Sequence, residues 1–592
     1  MGTEHIRSRP RWPESLWLIG LCALLYLPGF FAIPTIDRDE ARFAQASRQM
    51  AESASWHGWM VPAVQERPRL QKPPLIYWLQ AASARLCTDQ FRGRGVDAVT
   101  KDAIWMYRLP SVLSAMLTVL IVWRWCGRMF DPRSGLMAGA LMAANPLMFW
   151  EARQARADML LLACTVMAMW AAWEVVRRAR HGRSATGWLV AGWFAMAAGI
   201  MTKGPITPLV VGLGVVVHAM VRGEWRLLMV FRPWFGVPLA VAPVAVWVWQ
   251  VSREIDLEKY LITIKTETIN RGLAAMEGHG GPVGYHVVMM YVAFLPTCMV
   301  VALGFWRALT RGFVWNRSIG GGRWSRLVRA VRTARAAAWP ECFLVSMLIP
   351  GWIVFEVSGT KLPHYTLPLY PVLAILAARA VLAGPGLVGV RSKRAGRLLW
   401  TWGAGCTVFG VLWSVVAAGL LWQEAWGLAV VSVLLLLVGA VQIMRWTARF
   451  VPRRDLVQLQ IRGVAWFVAL AVTLGVVGGQ TEAIRVSRNL NDVIAALTVT
   501  SADRGRPIAA VGWHEDSLIF ETRGKSRRVD EWKLKEWLKE HDRVGRRALI
   551  VLERERLAHW PPMREVGAVV GFNYSNGKPA DLVVAELTRD LP

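Results

Sequence analysis

Apolar runs of about 20 residues recur along most of this sequence, and they limit its fold more than any other feature. A helix of that length spans the hydrocarbon core of a bilayer. Hydrophobic residues make up 54% of the 592 residues and charged residues only 19%, whereas soluble domains carry about 25% charged residues. The sequence therefore predicts an all-α polytopic membrane protein.

The apolar runs predict about thirteen transmembrane helices. Their approximate positions are residues 16–34, 104–124, 134–150, 158–176, 187–201, 205–221, 234–251, 284–305, 342–358, 365–383, 398–421, 427–444 and 461–479. The N-terminus has the basic flank of a signal peptide. It lacks a small-residue cleavage site and its apolar stretch is long, so we count it as the first span.

The loops between these spans alternate between strongly basic and mixed composition. The basic set comprises the N-terminus, RWCGRMFDPR, VRRARHGR, VRGEWRLLMVFR, VRSKRAGR, RWTARFVPRR and the arginine-rich segment that begins WRALTRGFVWNR. The positive-inside rule places this set, and with it the N-terminus, in the cytoplasm. Because the basic residues are divided among many short loops, they explain much of the net charge of +28 without a surface for nucleic acid.

The remaining segments are predicted to face the outer side of the membrane. They comprise residues 35–103, EARQARAD, TKGP, residues 252–283, SGTKLPHY, WQEAWG and the tail after residue 480. We therefore divide the chain into a transmembrane region, residues 1–480, and a C-terminal outer domain, residues 481–592. Residues 35–103 and 252–283 form the two long outer loops of the transmembrane region.

The tail has the mixed pattern of a small α/β domain. The pattern predicts short buried strands at RPIAAVGW, RALIVLE and ADLVVAEL, and helices at LNDVIAALTVT and VDEWKLKEWLKEH. His514 and Glu515 lie in the segment GWHEDS, which is more typical of a turn than of a catalytic site. The sequence of the tail presents no catalytic constellation.

The first outer loop contains two amphipathic segments. In ARFAQASRQMAESA, the apolar residues Phe43, Ala46, Met50 and Ala54 recur at helical spacing, and LIYWLQAASARL repeats the pattern. Each segment is too short to span a bilayer but suits a helix lying in the membrane interface. We expect the two helices to frame a cavity at the membrane surface.

Groups that can handle a lipid-linked phosphate are predicted on this same outer face. Asp39 and Glu40 can accept a proton from an incoming hydroxyl group. Lys72 and Arg271 can neutralise a phosphate, and His279 can ligate a metal or titrate near neutral pH. Together these groups suit the transfer of a group from a lipid phosphate to a hydroxyl acceptor.

Each of these residues also has an ordinary structural interpretation. Acidic residues such as Asp39 favour the first turn of a helix, Lys72 can reach the lipid headgroups, and His279 fits a glycine-rich turn. At the protein level, the alternatives are a transporter or flippase for a lipid-linked saccharide, and a non-catalytic scaffold. Few charged residues lie within the apolar runs and no internal repeat is evident, which disfavours a transporter.

Four ordered segments resemble the lipid A aminoarabinose transferases, which belong to a superfamily of polyprenyl-phosphate-sugar-dependent glycosyltransferases that includes the protein O-mannosyltransferases. These segments are DEARFAQASRQM, WMVPAVQERPRLQKPPLIYW, ETINRGLAAMEGHGGPVGYH and SGTKLPHYTLPLYP. The resemblance implies a GT-C fold, an undecaprenyl-phosphate-linked sugar donor and inversion at the anomeric carbon. It also implies a glycolipid or protein acceptor, contact with membrane lipids, and a bacterial inner membrane with the C-terminal domain in the periplasm.

The resemblance assigns roles to five residues by motif. Asp39 matches the family's catalytic carboxylate, and Glu40 matches its acidic neighbour. Lys72 matches the lysine that holds the lipid phosphate. Arg271 matches a family arginine, and Tyr365 matches the tyrosine of the KLPTY motif.

One motif departs from the family pattern at two positions. The family's YFEKP reads RLQKP here, so that Gln71 replaces a glutamate that is a metal-site candidate together with His279. A neutral amide is a poor ligand for zinc, which argues against a tightly bound divalent metal. Arg69 replaces the tyrosine, and we expect its charge to serve the donor phosphate instead.

Overall fold

The computed structural model describes most of the chain. The described ranges are residues 12–35, 38–91, 101–256, 280–295, 297–312, 339–382, 426–453, 455–498, 505–542, 547–560, 563–573 and 577–588, with a few single residues between them.

Helices dominate the part of the chain before residue 481. In order, the α-helices are α1 (Trp12–Tyr26), α2 (Arg38–Glu52), α3 (Trp56–Met60), α4 (Leu75–Cys87), α5 (Ile104–Met129), α6 (Pro132–Ala143), α7 (Pro146–Glu151), α8 (Asp158–Arg180), α9 (Thr186–Lys203), α10 (Ile206–Arg222), α11 (Leu227–Val230), α12 (Pro233–Ser252), α13 (Tyr285–Ala293), α14 (Cys298–Gly312), α15 (Trp339–Val357), α16 (Tyr370–Leu382), α17 (Trp426–Arg453) and α18 (Leu456–Gln480). A 3₁₀ helix, Pro363–Leu369, leads directly into α16.

Within the described ranges, seven helical segments are long and apolar enough to cross a membrane. They are Ile104–Met129, Asp158–Arg180, Pro233–Ser252, Trp339–Val357, Pro363–Leu382, Ala429–Trp446 and Leu456–Gln480. Shorter apolar helices occur at Pro13–Tyr26 and Ile206–Arg222. The polytopic helical class is confirmed, while the count of thirteen spans stays a prediction.

Two of the predicted spans are interrupted. Span 134–150 is divided into α6 and α7, because the Asn145 side chain accepts a hydrogen bond from the Met148 backbone N–H at 3.0 Å and Pro146 begins a new helix. Span 284–305 is divided into α13 and α14. Apolar length alone therefore overestimates the continuity of both helices.

A glycine contact joins α18 to the turn that follows α1. Gly29 has a positive φ of 74°, a conformation that favours glycine. A Cβ atom on Gly475 would collide with the backbone carbonyl of Pro28. The two backbones can approach this closely only because Gly475 has no side chain.

The described part of the first loop predicted to face the outer side folds as the amphipathic pattern predicts. Helices α2 and α4 are both present, and Phe43, Ala46 and Met50 are buried against Tyr77 and Ala81 of α4. Helix α2 ends at Glu52, so Ala54, which was predicted as the fourth apolar contact, is exposed. A two-stranded antiparallel hairpin, β1 (Ala63–Val64) and β2 (Arg67–Pro68), lies between the helices.

The chain after α18 forms a mixed sheet covered on both faces. The strands are β3 (Ile508–Ala510), β4 (Ser526–Arg528), β5 (Leu549–Glu553), β6 (Met563–Asn573) and β7 (Lys578–Leu587). Their order across the sheet is β4-β3-β5-β7-β6, with β3 parallel to β4 and β5, and β7 antiparallel to β5 and β6. The helices are α19 (Val486–Ala496), α20 (Asp516–Glu521), α21 (Leu534–His541) and α22 (Arg554–Leu557), with 3₁₀ turns at Glu482–Ile484 and Glu531–Lys533.

Successive side chains along the strands point to opposite faces of this sheet, which creates one small core on each face. Residues Leu549 and Val551 of β5 face α19, whereas Ile550 and Leu552 face α21. The three predicted strands and both predicted helices are confirmed. Strands β4 and β6 and helix α20 are additional to the prediction.

We predict that Gly475→Ala destabilises the protein by about 1–3 kcal/mol, because the added methyl group must force the α1 turn away from α18. The measurement is the thermal unfolding midpoint in detergent. Gly212→Ala is the matched control, since a Cβ atom at this helical glycine meets nothing within 4 Å. Equal midpoints for the two variants would contradict the close approach of the backbones.

Candidate active site

Asp39 lies in the first turn of α2, surrounded by cations. Its carboxylate is 3.6 Å from Arg42 Nη1, 3.6 Å from Arg69 Nη2 and 3.5 Å from Arg156 Nη2. Burial raises the pKa of Asp39, but these cations together with Lys72 outweigh burial and lower the pKa to about 2, with Arg156 contributing most among them. The side chain remains 47% exposed, so a substrate can reach it.

Three different segments supply these cations, because Arg69 and Lys72 both lie between β2 and α4. Arg42 is one helical turn after Asp39 on α2, which places both side chains on the same face. Arg69 follows β2, and Arg156 lies just before α8. Lys72 precedes α4, where consecutive prolines start the helix. The site therefore exists only when the outer loop is folded against the membrane helices.

Aromatic contacts fix the direction of Arg69. Its Nε donates a hydrogen bond to the Tyr77 hydroxyl at 3.2 Å, and its guanidinium lies 5.1 Å from the centre of the Phe43 ring. Tyr77 and Phe43 stack on each other at 5.1 Å between ring centres. These contacts leave Arg69 Nη2 3.6 Å from Asp39. The predicted role of Arg69 towards the donor phosphate stays a prediction.

Glu40 has a different environment from Asp39, although it is the next residue. Its side chain is fully buried and accepts hydrogen bonds from Arg108 Nε at 2.7 Å, Arg108 Nη2 at 2.9 Å and the Ala155 backbone N–H at 3.0 Å. Arg108 also donates to the backbone carbonyls of Ile33 and Pro34. Through these hydrogen bonds, Glu40 connects the start of α2 to α5 and to the segment before α8.

A second group of charges lies next to Arg156. Arg156 Nη1 is 3.5 Å from Glu151, whose carboxylate is 3.8 Å from His364 Nδ1. His364 Nε2 is 3.9 Å from Asp158, and Asp158 is paired with Lys203 at 2.6 Å. The sequence assigned the EARQARAD and TKGP segments to the outer face but gave them no role. The signal that could have indicated a role is the presence of charged residues at the ends of the apolar runs.

Tyr365 belongs to this second group. Its ring centre is 6.0 Å from Lys203 Nζ and 5.3 Å from the ring of His364. Nearby Lys361 donates a hydrogen bond to the Pro282 carbonyl at 2.9 Å and lies 3.9 Å from Glu356. The predicted phosphate-binding role of Tyr365 stays a prediction.

The predicted metal pair is only partly described. Gln71 is exposed, whereas His279, like Arg271, lies outside the described residues. Among the residues that the structure does describe, no three His, Cys, Asp or Glu side chains form a group suited to a metal ion. The neutral amide of Gln71 is a poor ligand for zinc.

The C-terminal domain reaches this site through α20 and the residue before it. Glu515 accepts hydrogen bonds from Arg38 Nη2 at 2.7 Å and Nε at 3.0 Å. Asp516 accepts one from Arg42 Nε at 2.5 Å. The prediction of a turn at GWHEDS is compatible with the structure, but it missed that both acidic side chains are buried partners of α2.

We predict that Glu40→Gln destabilises the protein by about 3 kcal/mol, because Arg108 would keep a buried charge without its counter-ion. The thermal unfolding midpoint in detergent provides the measurement. As a control, Glu66→Gln removes an exposed pair with Arg527 and should cost less than about 1 kcal/mol. An unchanged midpoint in Glu40→Gln would show that the pair does not anchor α2.

Comparisons with known proteins show which sequences and folds this chain is similar to. Residues 71–249 match the family model described as dolichyl-phosphate-mannose-protein mannosyltransferase. The undecaprenyl phosphate-alpha-4-amino-4-deoxy-L-arabinose arabinosyl transferase 2 of Sodalis glossinidius is 25% identical, with 95% of this chain and 99% of the relative covered. The corresponding Pectobacterium atrosepticum transferase is 24% identical, covering 91% and 92%.

A solved structure extends the likeness to the fold. The ArnT of Cupriavidus metallidurans, crystallised with undecaprenyl phosphate, aligns with a TM-score of 0.69 at 20% identity, covering 96% of this chain and 97% of that one. The comparisons confirm the resemblance indicated by the four motifs: this chain has a GT-C fold and is similar to the aminoarabinose transferases among the polyprenyl-phosphate-sugar-dependent glycosyltransferases.

Proposed function

We propose that this protein is an integral-membrane glycosyltransferase. It moves a sugar from a polyprenyl-phosphate donor to a hydroxyl or phosphate group of an acceptor, which is a lipid A-like glycolipid or a protein. The observation that carries this proposal is the accessible carboxylate of Asp39 among Arg42, Arg69, Arg156 and Lys72. The donor class follows from the undecaprenyl phosphate named for the similar transferases and for the ArnT complex.

The cations serve the phosphate of the donor. Arginine forks and a lysine ammonium bind phosphate oxygens through charge-assisted hydrogen bonds. They also stabilise the negative charge that builds up on the polyprenyl phosphate as it leaves the sugar. The described candidates for this role are the cations around Asp39, among them Lys72 and Arg69, and the motif resemblance adds Arg271 and Tyr365.

Asp39 acts on the acceptor. With a pKa of about 2 it is ionised at neutral pH, so it can accept a hydrogen bond from the incoming hydroxyl and orient it. A bound donor phosphate shares the surrounding cations, which raises the basicity of Asp39 when the acceptor oxygen becomes acidic during attack. Attack from the side opposite the phosphate inverts the anomeric carbon.

Glu40 supports this chemistry from within the fold. Because its carboxylate is fully buried against Arg108, it holds Asp39 in place and does not contact the acceptor. The catalytic role suggested for Glu40 by its motif is therefore a positioning role in this mechanism.

The orientation of the chain completes the proposal. The N-terminus lies in the cytoplasm of a bacterium, and the outer loops and the C-terminal domain face the periplasm across the inner membrane. The donor's own phosphoester bond supplies the free energy of the reaction, so no nucleotide site is required.

We predict that Asp39→Asn lowers sugar transfer at least about 100-fold, because the amide cannot accept the acceptor's proton. Purified protein in vesicles is given a panel of radiolabelled undecaprenyl-phosphate sugars and extracted envelope acceptors. Glu66→Gln, which changes an exposed carboxylate of the same loop, should retain wild-type transfer. Donor that crosses the bilayer without transfer, equally in wild type and Asp39→Asn, would establish a transporter instead.

We predict that Arg69→Ala reduces transfer about tenfold or more through weaker donor binding, and that chelators leave the wild-type rate unchanged. The measurement is the donor KM together with the rate after treatment with EDTA. Arg67→Ala, at an exposed arginine of the same hairpin, is the matched control. Strong inhibition by the chelator, reversed by added zinc, would refute the replacement of a metal by Arg69.

A further inference from the structure

Arg42 lies between two carboxylates that belong to different parts of the chain. Its Nε donates to Asp516 Oδ2 at 2.5 Å, and its Nη1 is 3.6 Å from Asp39 Oδ1. Asp39 is in the transmembrane region, whereas Asp516 begins α20 in the C-terminal domain. One guanidinium therefore connects the candidate active site to the second domain.

We propose that Asp516 is a positioning residue for glycosyl transfer, which holds Arg42 in the orientation that serves Asp39, so that the C-terminal domain completes the active site. The proposal rests on the function proposed above. It adds a residue far along the chain to the machinery of the outer loop.

The geometry of arginine explains how one contact controls the other. A guanidinium is a rigid planar fork, so fixing its Nε edge also fixes the direction of both Nη atoms. Arg42 is 35% exposed, and its contact with Asp39 is longer than a hydrogen bond. Without the hydrogen bond to Asp516, this long side chain gains rotamer freedom and moves towards water.

Asp516 is well placed to be the fixed partner. Its side chain is 6% exposed, and its other oxygen lies 2.5 Å from Arg528 Nη2 on β4. The Arg528 contact leaves Oδ2 for Arg42. A buried carboxylate held from the domain side gives Arg42 a defined anchor.

Several other contacts hold the two domains together independently of Asp516. Arg38 pairs with Glu515, Arg48 Nη1 donates to the Phe520 carbonyl at 2.6 Å, and Gln65 Nε2 donates to the Ser526 carbonyl at 2.7 Å. Loss of the Asp516 carboxylate should therefore leave the domain docked. The effect of losing this carboxylate can then be measured as a change in the rate of transfer.

The test is a double-mutant cycle in the vesicle transfer assay. Asp516→Asn and Arg42→Gln are measured singly and together for kcat, donor KM and thermal unfolding midpoint. We expect Asp516→Asn to lower kcat about tenfold with a smaller change in donor KM, since it misplaces a charge beside Asp39. In the Arg42→Gln background, Asp516→Asn should have no further effect on kcat.

Glu515→Gln is the matched control, because it weakens an adjacent domain contact that is made by a different arginine, Arg38. Its effect on kcat should be the same with or without Arg42. Asp516→Asn effects that are equally large in both Arg42 backgrounds would overturn the positioning role and leave only domain docking.

A third variant keeps the proposal testable if Asp516→Asn does not fold. Arg42→Lys retains the positive charge but cannot hold both carboxylates through one planar group. It should lose kcat as Arg42→Gln does, and full kcat in Arg42→Lys would overturn the proposal. Absence of transfer by the wild-type protein would instead contradict the proposed function, so the two failures are distinguishable.

Discussion

The buried ion pair between Glu40 and Arg108 is the contact on which the candidate site depends. Arg108 comes from α5, a membrane-spanning helix, and it also donates to the backbone that leads into α2. The pair thus fixes where the outer loop begins relative to the membrane region. Since Asp39 immediately precedes Glu40 on the helix, burying one carboxylate in this way sets the direction of the other towards the accessible cations.

The surroundings of Asp39 suit a substrate that brings negative charge. The arginines and the lysine around Asp39 outnumber its single carboxylate, so these cations repel one another. A bound phosphate relieves that repulsion. The same cations make Asp39 a weak base in the free protein. In the proposed mechanism, donor binding therefore has two effects: it places the sugar, and it restores basicity to Asp39, the group proposed to receive the acceptor's proton.

Local patterns predicted much of this architecture, and long-range contacts account for what was missed. Helix α2 and strands β5 and β7 follow from periodicity, and Asp39 and Arg69 were expected on one face. Which of Asp39 and Glu40 would be buried was not predictable, because adjacent helical residues point about 100° apart and the deciding partner, Arg108, lies on another helix. Asp516 was missed for the same reason, since its partner is distant in sequence.

The position of the C-terminal domain has a physical rationale in a site at the membrane boundary. A short amphipathic helix such as α2 buries little surface by itself, and isolated helices of this length are marginally stable. The membrane helices hold its beginning through Glu40, and α20 of the C-terminal domain covers its outer side through Arg42 and Arg48. Holding α2 from both sides reduces the motion of Asp39, which a reaction that depends on the alignment of donor and acceptor requires.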